Sequence, residues 1–178
     1  MNDHDQRIKL LRARVRDIPD FPKPGILFRD LTPLLGDGAA LKTCIALLAE
    51  KIVVHRPETI VAIESRGFIF GAPVAAALGI GFAPVRKPGK LPYATHRRTY
   101  DLEYGTDSLE MHTDAVVEGT SVVIVDDLLA TGGTAAATID LVRQQGGRVA
   151  AVAVVVELQL LNGRARLDGV AVDSLIQY

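Results

Sequence analysis

Tryptophan is absent from this chain, cysteine occurs once, and aromatic residues make up 5% of its 178 positions. The lone Cys44 sits in an apolar helical pattern, which excludes an internal disulfide framework and reads as a buried thiol rather than a nucleophile. No apolar run approaches the roughly eighteen residues of a membrane-spanning helix. The opening MNDHDQRIKLLR lacks the apolar centre of a secretory signal. A cytoplasmic protein with no membrane partner is therefore expected. Neither sign of charge prevails: the net charge is −1, with no long single-sign run, so nucleic acid is not an expected partner. The glycine patterns GxxxxGK[ST] and GxGxxG are missing too, which argues against a P-loop or a dinucleotide-binding fingerprint.

What is present is ordinary in amount and specific in arrangement. With 48% hydrophobic and 23% charged residues, the chain reads as a single domain over 1–178, long enough to bury a proper core. Its organising stretch is VVIVDDLLATGGT, Val122 to Thr134. Val122 to Val125 is a β-branched run of the kind buried on both faces of a parallel sheet. Ala135 to Gln145 follows as an Ala-rich helix stopped by Gly146-Gly147. The residues between them, Ala130, Thr131, Gly132, Gly133 and Thr134, form a strand-to-helix turn. Backbone N–H groups at such a turn and at the helix start make a cup for phosphate, and the two threonines add hydroxyl donors. Asp126 and Asp127 would repel a phosphate but accept hydrogen bonds from sugar hydroxyls. Phosphate donors beside diol acceptors point to a ribose 5-phosphate site.

Taken in order, residues 4–17 place Ile8, Leu11, Val15 and Ile18 on one face and predict a first helix ended by Pro19. Asp20 to Asp30 holds prolines and a glycine around aromatics and reads as an extended loop. It is either a packing arm or, through Phe28 with Arg29 beside it, a platform for a flat ring. Residues 38–53 predict a second helix with Asp37 as N-cap. Thr59 to Ile63 is a buried strand ending in Glu64-Ser65-Arg66-Gly67, followed by a helix from Phe68 to Leu78. Gly81 to Val85, with Pro84, reads as an edge strand or a strand start. Polar turns at the carboxyl ends of parallel strands share one crevice in open α/β sheets. Arg66 there offers a bidentate grip on phosphate oxygens, or a salt bridge to Glu64 or another acid. Arg86 to Pro92 carries three cations among two prolines and a glycine; it is a solvated loop or a counter-charge for diphosphate. Residues 93–107 read as a long polar loop of the lid or binding kind, with the basic Thr95 to Arg98 expected to face solvent. Ser108 to His112 is a strand with Leu109 and Met111 inward. Arg148 to Val156 is expected to be the most buried strand, and DSLIQY a closing strand or coil.

VVIVDDLLATGGT resembles the phosphoribosyl-diphosphate (PRPP) motif of type I phosphoribosyltransferases, and DDLLATGGT most closely that of the adenine-using members. FPKPGILFRD resembles their hood segment, ESRGF their diphosphate loop, RKPGKLP their cationic loop, YDLEYG their flexible catalytic loop and VEL the segment whose leucine packs on adenine. The resemblance implies an α/β fold of the type I phosphoribosyltransferase kind: a central, mostly parallel sheet flanked by helices, an N-terminal helix and hood over 1–35, and a flexible lid, with the cationic and catalytic loops over 86–107. It implies a purine salvage reaction, adenine plus PRPP giving AMP plus diphosphate, with Mg²⁺ held mainly by substrate and water and a homodimer as the assembly. Carried over by residue, Asp126, Asp127, Ala130, Thr131, Gly132, Gly133 and Thr134 hold ribose and 5-phosphate. Ser65, Arg66, Lys87 and Lys90 hold diphosphate; Leu27, Phe28, Arg29 and Leu158 hold adenine. Glu103 and Tyr104 close over the reacting centre. Glu103 or Asp127 assists departure of the N9 proton. Two other readings stay open: a phosphoribosyltransferase for hypoxanthine, guanine or xanthine, and a non-catalytic PRPP or purine sensor, which would usually add a DNA-binding domain.

Overall fold

The computed structural model describes residues 3–101 and 105–178. The chain divides into two compact units, Met1–Leu47 and Leu48–Tyr178.

In the first unit, α1 (Asp3–Arg12) is followed by β1 (Arg16–Pro19), β2 (Leu27–Asp30), α2 (Thr32–Gly36) and the start of α3 (Gly38–Val53). The expected helix over 4–17 is cut short. Val15 and Ile18 fit its spacing, yet the chain leaves the helix after Arg12 and pairs antiparallel with the proline-rich segment, Ile18 opposite Phe28 and Arg16 opposite Asp30. Charge fixes that register: Arg16 binds Asp30 at 2.6 Å and Arg29 pairs with Asp17. Two cross-strand ion pairs and a β-branched residue facing an aromatic favour the hairpin over a last helical turn. Asp37 caps α3 as expected, accepting the N–H groups of Ala39 and Ala40 at 3.0 and 3.1 Å.

The second unit contains β3 (Thr59–Ile63), α4 (Arg66–Leu78), β4 (Gly81–Val85), β5 (Thr95–Asp101), β6 (Thr106–His112), β7 (Ser121–Leu129), α5 (Gly133–Gln144), β8 (Arg148–Glu157) and β9 (Ala171–Gln177). Five strands form one sheet in the order β4-β3-β7-β8-β9, and every neighbouring pair is parallel. β4 lies at its edge, where Pro84 is tolerated. Val122 to Val125 and Ala151 to Val156 are buried, and each such valine contributes about 1.5 kcal/mol or more. The DSLIQY tail is a full strand, paired with β8.

Two boundaries differ from the sequence reading. β7 does not stop at Val125 but continues to Leu129, pairing Asp126 with Val154 and Leu128 with Val156. Both aspartates are thus strand residues. Within the stretch expected to be a loop, Thr95–Asp101 and Thr106–Asp107 are strand instead: β5 and β6 pair antiparallel in register from Thr95↔His112 to Asp101↔Thr106. Leu109 and Met111 point inward and are fully buried, as expected.

Candidate active site

The strand order reverses direction between β3 and β7, because β3 leads outward to β4 while β7 leads the other way to β8 and β9. A crevice opens beyond the carboxyl ends of strands at such a point. Here it is a cavity of about 500 Å³, walled by Ser65 and Arg66 after β3, Lys87 after β4, Asp126 and Asp127 on β7 and Thr134 on α5. Residues predicted from three separate stretches, ESRGF, RKPGKLP and VVIVDDLLATGGT, are therefore brought together. Ala130 to Thr134 line an adjoining smaller cleft with Asp126 and Leu128.

Charge in the cavity is arranged in pairs. The Arg66 guanidinium lies 2.7 Å from Asp127, not on Glu64. Glu64 instead binds Arg86 at 2.7 Å and Lys90 at 2.8 Å, and Lys87 pairs with Asp107. Burial raises the Glu64 carboxyl, but hydrogen bonds from Lys90 and Arg86 outweigh it and hold it below the usual range. Asp107 is likewise lowered: its burial is outweighed by the bond from Lys87. Asp126 goes the other way. Burial, and then the Asp127 carboxylate beside it, push Asp126 well above the usual carboxylate range. Its Oδ1 accepts the Asp127 N–H at 2.8 Å. Gly67, in the first turn of α4, packs against it with no room for a side chain: a Cβ there would lie 2.9 Å from Asp126 Oδ1.

Lys87 and Lys90 ride on the loop after β4, and a buried anion holds that loop. Glu110 on β6 is 4% exposed. Its backbone exchanges both hydrogen bonds with Arg86, at 2.9 and 2.7 Å. Its side chain accepts the Gly89 N–H at 2.9 Å and the Arg97 guanidinium at 2.6 and 2.9 Å. These bonds, the one from Gly89 first, keep the Glu110 carboxyl below its usual range.

In the basic stretch, Arg97 and Arg98 are exposed as expected, and they are also partnered. Along β5, alternate residues reach α5: His96 contacts Gln144 at 3.1 Å, Arg98 contacts Asp140 at 2.8 Å, and the Thr134 hydroxyl donates to Tyr100 at 3.2 Å. The intervening residues face the partner strand, Arg97 on Glu110 and Thr99 on Ser108. Tyr100 also donates to Asp107 at 3.4 Å. Tyr100 and Asp107 line the main cavity and were given no role by the sequence reading. The only signal there was their place in the lid segment.

Leu158, half-buried after β8, donates its N–H to Leu129 at 2.9 Å. Leu27, Phe28 and Arg29 belong to β2 in the first unit, where Phe28 meets the Phe21 ring edge-on with centroids 5.1 Å apart. Glu103 and Tyr104 lie outside the described residues. Among the described residues no group of three or more His, Cys, Asp or Glu could hold a metal ion, and no helix is long and apolar enough to cross a membrane.

The phosphoribosyl transferase domain pattern matches residues 35–172. A curated adenine phosphoribosyltransferase of Carboxydothermus hydrogenoformans is 56% identical over 168 residues, which covers 94% of this chain and 99% of that one. The chain belongs to the adenine phosphoribosyltransferase family. Its fold agrees. The adenine phosphoribosyltransferase of Thermoanaerobacter pseudethanolicus superposes with a TM-score of 0.93 at 53% identity, covering 96% of this chain and 99% of its own. The Saccharomyces cerevisiae adenine phosphoribosyltransferase, solved with adenine and an imino-altritol bisphosphate, gives 0.90 at 39% identity, covering 96% and 99%. The parallel sheet and the crevice between β3 and β7 are thus those of a type I phosphoribosyltransferase, and family membership spans the N-terminal unit as well as the sheet.

Proposed function

We propose that the crevice between β3 and β7 carries out the family reaction: transfer of the 5-phosphoribosyl group from PRPP to N9 of adenine, giving AMP and diphosphate in purine salvage. The observation that carries this reading is the cavity itself, which sets Asp126 and Asp127 beside the cations Arg66 and Lys87 and adjoins a smaller cleft lined by Ala130 to Thr134. The near full-length kinship to adenine phosphoribosyltransferases supports the choice of base.

Breaking the bond from ribose C1 to diphosphate builds positive charge on the sugar and negative charge on the leaving group. Arg66, Lys87 and Lys90 stand ready to stabilise the leaving group, with Ser65 as a hydroxyl donor. Each of the three cations is bound to a carboxylate: Arg66 to Asp127, Lys87 to Asp107, Lys90 to Glu64. Diphosphate binding is then an exchange of partners, so its cost in desolvating the cations is partly met beforehand. Ala130 to Thr134 anchor the 5-phosphate and aim C1 at the base, while Asp126 and Asp127 accept the ribose hydroxyls. Glu103 or Asp127 takes up the N9 proton or hydrogen-bonds it as it leaves, and Tyr104 closes beside it. Leu27, Phe28, Arg29 and Leu158 are assigned to adenine.

A Mg²⁺ arriving with PRPP would keep most of its shell as water and substrate oxygen; Asp127, 2.7 Å from Arg66, is the cavity carboxylate that would meet it through water, since burial pushes Asp126 well above the usual carboxylate range. When bound the ion neutralises charge on the departing diphosphate. A cytoplasmic homodimer completes the proposal.

Product formation from PRPP, Mg²⁺ and, in parallel, adenine, hypoxanthine, guanine and xanthine tests it. AMP forming far faster than the other nucleotides is expected. Preference for a 6-oxopurine would keep the chemistry and overturn the base; PRPP binding without turnover on any base would leave a sensor.

A further inference from the structure

A phosphate cup works only if its N–H groups are held in a converging shape, and β7 and α5 fix no more than its two ends. The middle of the cup, Ala130 to Gly132, rests on a second piece of backbone. Gly132 has φ +83°, and a Cβ there would lie 2.4 Å from the Gly163 carbonyl oxygen and 3.3 Å from Arg166 Cβ. Conversely, a Cβ on Gly163 would lie 2.3 Å from the Ala130 carbonyl oxygen and 3.1 Å from Leu129 Cγ. Two glycines let the cup and the 3₁₀ turn Gly163–Arg166 meet backbone to backbone.

The turn is itself tied down by charge. Arg164, the next residue, grips Glu157 with two hydrogen bonds of 2.5 and 2.7 Å. Glu157 closes β8, is 4% exposed, and also accepts from Ser174 at 2.7 Å and Gln177 at 3.2 Å on β9. A buried carboxylate with this many donors is a rigid post. The post stands at the end of the strand beside β7, so the sheet positions the turn and the turn positions the cup.

We propose that Glu157, Arg164 and Gly163 are positioning residues for 5-phosphate binding: they set the shape of the Ala130–Gly132 backbone without touching substrate. The inference rests on the reading of that cup as the 5-phosphate site. It predicts a selective defect, because the diphosphate cations hang on other elements, after β3 and β4. Displacing catalytic or binding groups by about an ångström costs up to about a hundredfold, so partial loosening of the cup is expected to cost about tenfold in affinity.

The test is calorimetric titration of the full chain with ribose 5-phosphate and, separately, with magnesium diphosphate. Arg164→Ala, whose side chain is 45% exposed in the parent and so leaves little void, should weaken ribose 5-phosphate about tenfold and leave diphosphate within about twofold. Arg164→Lys, which keeps the charge but loses the fork, should fall between Arg164→Ala and the parent. Gly163→Ala should lose ribose 5-phosphate most; if it fails to fold, the Arg164 pair still decides. Unchanged ribose 5-phosphate affinity in Arg164→Ala, or equal losses for both ligands, would overturn the buttress alone. A parent protein that binds diphosphate but not ribose 5-phosphate would overturn the cup, and the inference with it.

Discussion

Removing the Glu110 side chain should loosen the loop that carries Lys87 and Lys90 before it unfolds the protein. In the parent, one carboxylate accepts the Gly89 N–H at 2.9 Å and a two-pronged contact from Arg97. The Gly89 bond is a charge-assisted one at a buried acceptor, a class that contributes about 1.5–3 kcal/mol. The Arg97 side chain is 58% exposed, so that pair adds only about 0.2–1 kcal/mol. Glu110→Ala therefore costs about 2–4 kcal/mol in stability. Glu110→Gln keeps an oxygen for Gly89 and should cost about 1 kcal/mol. If half the Gly89 contribution serves to hold the loop in its binding shape, diphosphate affinity drops about three- to twelvefold in the alanine variant and about twofold in the glutamine one, at about 1.4 kcal/mol per decade. Denaturant melts report the first quantity and titration with magnesium diphosphate the second. A destabilised Glu110→Ala protein that binds diphosphate as tightly as the parent would refute the reasoning and leave Glu110 a purely structural acid.

Replacing both Asp126 and Asp127 by alanine should weaken PRPP far more than adenine; equal calorimetric losses would count against their role at the ribose. Glu103→Ala is expected to lower kcat much more than adenine affinity, and an unchanged kcat would take Glu103 out of the chemistry. Tyr100→Phe removes the hydroxyl between Thr134 and Asp107; KM for PRPP should rise severalfold with the melting temperature nearly constant, and the opposite pattern would make the contact one of stability. The Glu157 carboxyl is held low, first by the bond from Arg164, so its contribution is present above the unfolded-state value near about 4.3 and is lost as pH falls through the lower folded-state value. Thermal midpoints measured from pH 6 downward should drop more steeply in the parent than in Glu157→Gln, and parallel curves would remove Glu157 from the acid transition.

The parallel sheet was legible because its strands announce themselves locally. Val122 to Val125 and Ala151 to Val156 are buried, and the polar turns that follow β3 and β7 carry the site. What escaped was decided by distant partners. Val15 and Ile18 satisfy a helical spacing, and only pairing with Leu27 to Asp30 shows that they leave the helix. Asp126 and Asp127 look like the end of a strand, yet β8 alongside continues the ladder past them to Leu129. THRRTYD carries no alternating hydrophobicity, since its alternation is one of charge and hydroxyl partners on two different elements. Glu110, Glu157 and Gly163 gave no local signal at all: an acid in a strand, an acid at a strand end and a glycine in a turn acquire meaning only from what packs on them.

The alternation along β5 sets which length changes this hairpin can tolerate. His96, Arg98 and Tyr100 meet α5 and its first turn, and Arg97 and Thr99 meet β6. Inserting or deleting one residue between positions 96 and 100 would swap the two sets, turning Arg97 away from Glu110 and taking the hydroxyl of Tyr100 away from Thr134. Changes of two residues would restore the faces but shift every partner by one step along α5. The strand from Thr95 to Asp101 is accordingly expected to require a fixed count of residues.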